Sequence, residues 1–145
     1  MHELKAETLA TWLTQKTNAI KTEIKSISRL NGGASMYTWE IAASFEGGFL
    51  ERTSRLILRS QSDTPLLPSI GIDNEFQLLK ILKSKKFKVP KPILLDRCGF
   101  LTGNPALIMQ KIVGSSKCIG AVSALNSLDR KRLTRDIGQQ LGKLH

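Results

Sequence analysis

Apolar positions along this chain change period several times, and each change predicts an element. From about Leu4 to Ile20, the residues Leu9, Trp12, Leu13 and Ile20 fall near the spacing of one helical face. Ser26–Leu30 alternates instead. The run Asn31-Gly32-Gly33-Ala34-Ser35 breaks that pattern, and Tyr37–Ala43, rich in aromatic and β-branched residues, predicts a second strand. Glu46-Gly47-Gly48 reads as a turn. Leu56-Ile57-Leu58 centres a third strand over Thr53–Ser60, so these three strands predict an antiparallel meander. Ser60–Gly71, with Pro65 and Pro68, predicts a loop. A helix from near Asp73 to about Lys85 carries Ile72, Phe76, Leu79 and Leu82 on one face, and Pro90 and Pro92 close that segment. Ile93-Leu94-Leu95 predicts a short strand, a turn runs through Asp96, Gly99 and Gly103, and Ala106–Val113 predicts a last strand closed by Gly114. Ser115–Asn126 reads as irregular or briefly helical. Ser127 is the expected N-cap of a final helix with Leu133, Ile137, Leu141 and Leu144 as its stripe.

Helix, three strands, helix, two strands and helix in that order predict an α+β fold. Its five-stranded, mostly antiparallel sheet has an inserted helix and is flanked by N-terminal and C-terminal helices. Composition agrees with a packed domain. The chain has 145 residues, 41% of them hydrophobic, with 11 glycines besides, which excludes a compositionally disordered polymer. Its two cysteines, Cys98 and Cys118, form no CxxC pair and no disulfide framework, so a reducing, cytoplasmic compartment is expected. No apolar run approaches the roughly 18 residues of a membrane helix. The start Met1-His2-Glu3-Leu4-Lys5-Ala6-Glu7 has no apolar stretch of the kind a signal peptide needs, so no membrane partner is expected.

Charge narrows the partners. Lysine and arginine number 22 against 12 acids, a formal charge of +10, which favours an anionic partner. The cations cluster at Lys83, Lys85, Lys86, Lys88 and Lys91, and again at Arg130, Lys131, Arg132 and Arg135. Solvated helix ends account for such clusters as well as a ligand does, because lysines near a helix C-terminus complement its dipole. Signals of nucleic-acid recognition beyond charge are missing. Aromatics are 6%, no zinc-ligand spacing exists, and His2 and His145 are the only histidines. A basic nucleic-acid-binding α+β module remains the alternative reading of the clusters.

Four local features occur in a fixed order. The glycines of Gly32-Gly33-Ala34-Ser35 let backbone N–H groups approach phosphate oxygens, although a Gly-Gly hairpin turn needs nothing more. Arg59 ends the apolar run Leu56-Ile57-Leu58, where its planar fork suits phosphate or carboxylate, or simply reaches solvent. Glu75 lies in the first turn of the following helix. It complements the dipole there, and it is also placed to orient Arg59 by an ion pair of the kind kinases use to position phosphates. Ala106–Gly114 is a core-like strand whose end can offer backbone groups to a base edge.

Taken in order, these stretches resemble the N-terminal half of aminoglycoside-phosphotransferase-like proteins, a phosphotransferase family with a protein-kinase-like fold. The matching residues are Gly32-Gly33-Ala34-Ser35-Met36-Tyr37-Thr38-Trp39, Leu56-Ile57-Leu58-Arg59, Glu75-Phe76-Gln77-Leu78-Leu79, Val89-Pro90-Lys91-Pro92, Leu107-Ile108-Met109 with Gly114, and Leu141-Gly142-Lys143-Leu144-His145. Apolar spacing predicts residues 1–25 as an N-terminal amphipathic helix; the resemblance, which covers roughly Ile27 to His145, implies 26–114 as a kinase-like nucleotide-binding lobe and 115–145 as a linker and the start of a second lobe. It implies ATP or GTP with Mg²⁺ as cofactor. Gly32, Gly33, Ala34 and Ser35 would cover the phosphates. Arg59, where protein kinases carry Lys, would contact the α- and β-phosphates with Glu75 holding it. The Gln110 carbonyl and the Ile112 amide would meet the adenine edge, and Met109 would line the base pocket.

Transfer chemistry needs more than this. A base for the acceptor hydroxyl and acidic ligands for Mg²⁺ are required, and the resemblance places them in an H-x-D loop and a later Asp of a second lobe. His2 and His145 form no H-x-D here, and Asp63, Asp73, Asp96, Asp129 and Asp136 match neither element. The expectation is a nucleotide-binding lobe of a small-molecule kinase, truncated before its catalytic loop and inactive alone. A small hydroxylated acceptor would bind only with the second lobe present. A stand-alone regulatory lobe paired with a separate catalytic chain is a third reading.

Overall fold

The computed structural model describes residues 4–30, 36–50, 52–62, 70–114 and 118–144. The chain divides into two compact units, Met1–Lys111 and Ile112–His145.

In the first unit, helix α1 (Ala6–Thr17) stops three residues before the predicted Ile20, because Asn18 turns left-handed at φ 56° and its N–H bonds back to the Thr14 carbonyl. Asparagine is one of the few residues besides glycine that takes this conformation readily. The chain then enters strand β1 (Ala19–Leu30) seven residues earlier than Ser26, where the alternation predicts it. A register shift between Ile24 and Ser26 is the reason. It puts Ile24 and Ile27 on the same face although they are three apart, a spacing that looks helical on paper.

Strands β2 (Met36–Gly47) and β3 (Thr53–Gln61) follow, then helix α2 (Ile72–Ser84), strand β4 (Pro92–Asp96) and strand β5 (Ala106–Gln110). The sheet order is β1-β2-β3-β5-β4 with every pair antiparallel. This is the α+β fold expected, with α2 inserted between β3 and β4. Pro92 is tolerated because β4 lies at the sheet edge. The last strand is shorter than the predicted Ala106–Val113. Its ladder continues only as far as the Lys111 N–H, which donates to the Arg55 carbonyl at 3.0 Å.

Each sheet face packs on its own helix. Leu9, Trp12 and Leu13 of α1 cover Trp39, Ile41, Ala43, Phe45, Leu56, Leu58, Ala106 and Ile108. On the opposite face a smaller cluster joins Ile72 of α2 to Leu107 and Met109, with Ile57, Phe76, Leu79 and Leu95 packed against it. The turn after β2 is locked to the end of α1. Gly48 sits at φ 82°, and a Cβ there would stand 2.6 Å from the Thr17 carbonyl oxygen, which also accepts from the Phe49 N–H. Some of the clustered cations have local partners. Lys83 donates to the Val89 carbonyl, and Arg130 donates to the carbonyls of Leu125 and Ser123.

The second unit holds helices α3 (Cys118–Ser123) and α4 (Ser127–Gly142). Asn126, rather than Ser127, is the N-cap. Its side chain accepts from the Asp129 N–H, which makes Ser127 the first helical residue. The expected stripe Leu133, Ile137, Leu141 and Leu144 is exposed along its whole length.

Both tryptophans of the chain lie in the first core, so their fluorescence reports on that unit. Leu13→Ala, at a fully buried site, is expected to cost about 3 kcal/mol in urea unfolding followed by that signal. Leu141→Ala is expected to move the same transition by less than about 0.5 kcal/mol. Equal shifts in the two variants would contradict this layering.

Candidate functional site

Alternation along β3 decides where its arginine points. Leu56, Leu58 and Ser60 are buried on the α1 side, so Ile57 and Arg59 face α2. Arg59 stands opposite Thr38 of β2 and Leu107 of β5. The next residue, Ser60, anchors the strand end, with its hydroxyl 2.7 Å from that of Thr102 in the turn before β5.

Helix α2 brings an acid to that arginine. Ile72, Phe76 and Leu79 seat the helix on the sheet, and Glu75 lies one position before Phe76 in the first turn. Asp73 in the same turn accepts from Arg97 Nε at 2.5 Å, which ties the helix start to the segment after β4. Arg59 Nη1 donates to Glu75 Oε1. The side chains are 33% and 16% exposed, so the pair is partly withdrawn from water. A charge-assisted bond in that setting outweighs an exposed ion pair. It fixes one arm of the guanidinium fork and leaves the remaining N–H donors without another partner among the described residues.

The other expected site residues are placed less uniformly. Gly32, Gly33, Ala34 and Ser35 lie outside the described residues. Met109 is buried in the cluster beneath α2. Gln110 is exposed at the end of β5, its N–H donating to the Lys91 carbonyl at 2.9 Å. Ile112 is exposed and begins the second unit.

A second charged group shares the face that carries Arg59. Glu40 of β2 accepts from Lys111 Nζ, and Arg55 Nη1 stands 3.8 Å from the same carboxylate oxygen. Sequence reasoning missed this group. Parity was the available signal, since Glu40 alternates with buried Trp39 and Ile41, and Lys111 shares the parity of Leu107 and Met109 on the α2 side. Parity gives the face but not the partner, which depends on strand order and register.

The model of the Phosphotransferase enzyme family matches residues 26–145. The chain belongs to that family. Among solved structures it is similar to a Ralstonia eutropha JMP134 protein assigned provisionally as an aminoglycoside phosphotransferase. The TM-score is 0.57 at 17% identity, over 78% of this chain and 29% of the other. At that identity the likeness concerns the fold, and this member of the family spans under a third of the length of that relative. No curated protein matches the chain. Among the described residues no group of three or more His, Cys, Asp or Glu stands together to hold a metal ion. No helix among them is long and apolar enough to cross a membrane.

The Arg59–Glu75 pair should be measurable in stability alone. A double-mutant cycle of Arg59→Ala and Glu75→Ala in urea is expected to give a coupling energy of about 1 kcal/mol. Additive single effects would mean that the pair does not persist in solution.

Proposed function

We propose that this chain is the nucleotide-binding portion of a small-molecule phosphotransferase. The observation that carries the reading is the Arg59–Glu75 pair. A guanidinium at the end of an apolar strand is held on one side by a helix carboxylate, and the rest of its fork, without another partner among the described residues, would be offered to phosphate oxygens. The residues fit a nucleoside triphosphate of either base. Arg59 would take the α- and β-phosphates, Glu75 would keep the fork aimed, and the backbone of Gly32–Ser35 would cover the phosphates. The Gln110 carbonyl, at the exposed end of β5, would accept from the base, with Met109 behind it as a packed wall.

Mg²⁺ would shield charge between the phosphates when bound, and among the described residues no group of three or more His, Cys, Asp or Glu stands together to ligate it. The 145 residues contain no H-x-D sequence. In this reading they bind nucleotide without transferring its phosphoryl group, and the carboxylate that would deprotonate the acceptor hydroxyl, like the acceptor pocket, would belong to a second lobe. Membership of the family and the caught guanidinium both favour this over a nucleic-acid module. The local carbonyl partners of Lys83 and Arg130 remove part of the case for that alternative.

Isothermal titration of the full chain with ATP and with GTP tests the proposal. Binding is expected to one of them or both, and Arg59→Ala is expected to weaken it about tenfold or more, the size of a lost charge-assisted bond. Glu75→Gln should weaken it less, because the cation remains. Binding that ignores Arg59→Ala but collapses with added salt, on duplex DNA as well, would return the basic-module reading.

A further inference from the structure

The face that carries Arg59 has a second acid, Glu40, outside the Arg59–Glu75 pair. Glu40 reaches across the sheet rather than along it. Its neighbour across β2 and β3 is Ile57, whose partner on β5 is Met109. Lys111 lies one row further on, beside Arg55, so the Glu40–Lys111 pair passes diagonally over β3. Both side chains are 24% exposed, so an unpaired charge at either position would be costlier than at an open surface. The backbone around Lys111 is already held from both sides. The Gln110 N–H bonds to the Lys91 carbonyl and the Lys111 N–H to the Arg55 carbonyl. The ion pair is a third tether on the same two residues, running to the strand that follows the glycine-rich segment.

We propose that Glu40 is a positioning carboxylate that makes nucleotide affinity depend on the base. This rests on the nucleotide-binding reading of the same face. The carboxylate does two things through Lys111. It fixes the side chain next to Gln110, whose carbonyl is the base acceptor in that reading. It also keeps an ammonium folded back over β3 and away from the polyphosphate that Arg59 would hold, two residues beyond Ile57. A released lysine on this face would attract any polyphosphate irrespective of what it carries, because a mobile surface charge acts without regard to shape. The pair therefore sets how much of the binding comes from the base and how much from charge alone.

The experiment compares ATP with inorganic tripolyphosphate on the full chain by titration calorimetry. Glu40→Gln is expected to weaken ATP and to leave tripolyphosphate unchanged or tighter, lowering the ratio of the two affinities by about tenfold. Lys111→Met should weaken ATP without any gain for tripolyphosphate. The exchanged pair Glu40→Lys with Lys111→Glu should recover most of the ratio. A purely structural role for Glu40 would reduce the binding-competent fraction and so weaken both ligands by one factor, leaving the ratio where it was, and that result overturns the proposal. Arg59→Ala, expected to weaken both ligands, separates the two failures. If it acts and the Glu40 ratio does not move, only the role of Glu40 is lost. If the chain does not bind ATP, or Arg59→Ala has no effect, the nucleotide reading falls and this assignment with it.

Discussion

Four consecutive buried residues, Ala106 to Met109, impose the constraint from which the rest of the first unit follows. A strand buried on both faces must lie inside a sheet and needs apolar cover above and below. Ala106 and Ile108 take theirs from α1, Leu107 and Met109 from α2. That requirement pulls β5 between β3 and β4 and leaves β1 and β4 at the edges. It also assigns the helices to opposite faces, so that one face is closed by a broad core and the other only partly, beneath α2.

The partly closed face is where charge can gather. β3 sends its large aliphatic residues into the broad core and its arginine to the other side. α2 is seated by Ile72, Phe76 and Leu79, and its first turn then lies where Glu75 meets that arginine. The Arg97–Asp73 bond holds the same turn from the far side. The site is thus a by-product of two packing patterns meeting, one with a period of two and one with the period of a helix. Neither pattern needs a special backbone conformation at Arg59 or Glu75.

That origin explains what could be read from the residues alone. The strand-then-helix order around Arg59 and Glu75 is written in the spacing of apolar positions, and so is the α+β fold. Strand β1 was half hidden, because the irregularity between Ile24 and Ser26 destroys the alternation that identifies strands. The N-cap moved by one residue because two good capping residues, Asn126 and Ser127, are adjacent, and spacing does not choose between them. Glu40 and Lys111 were invisible as a pair for a stronger reason. They are 71 positions apart on strands that do not touch, and only the insertion of β5 beside β3 brings them within reach. Local chemistry is legible in a sequence, whereas a contact made over an intervening strand is a property of topology.

The lock between Gly48 and the end of α1 ties the core to residues that lie upstream of the family match. The family match starts at residue 26, inside β1 and beyond the whole of α1. Yet α1 supplies Leu9, Trp12 and Leu13, and its last carbonyl receives the turn after β2. A polypeptide started at residue 26 would keep every matched position, lose the first half of an edge strand, and uncover Trp39, Ile41 and Phe45 to water. Kinship and foldability are thus written over different lengths of this chain.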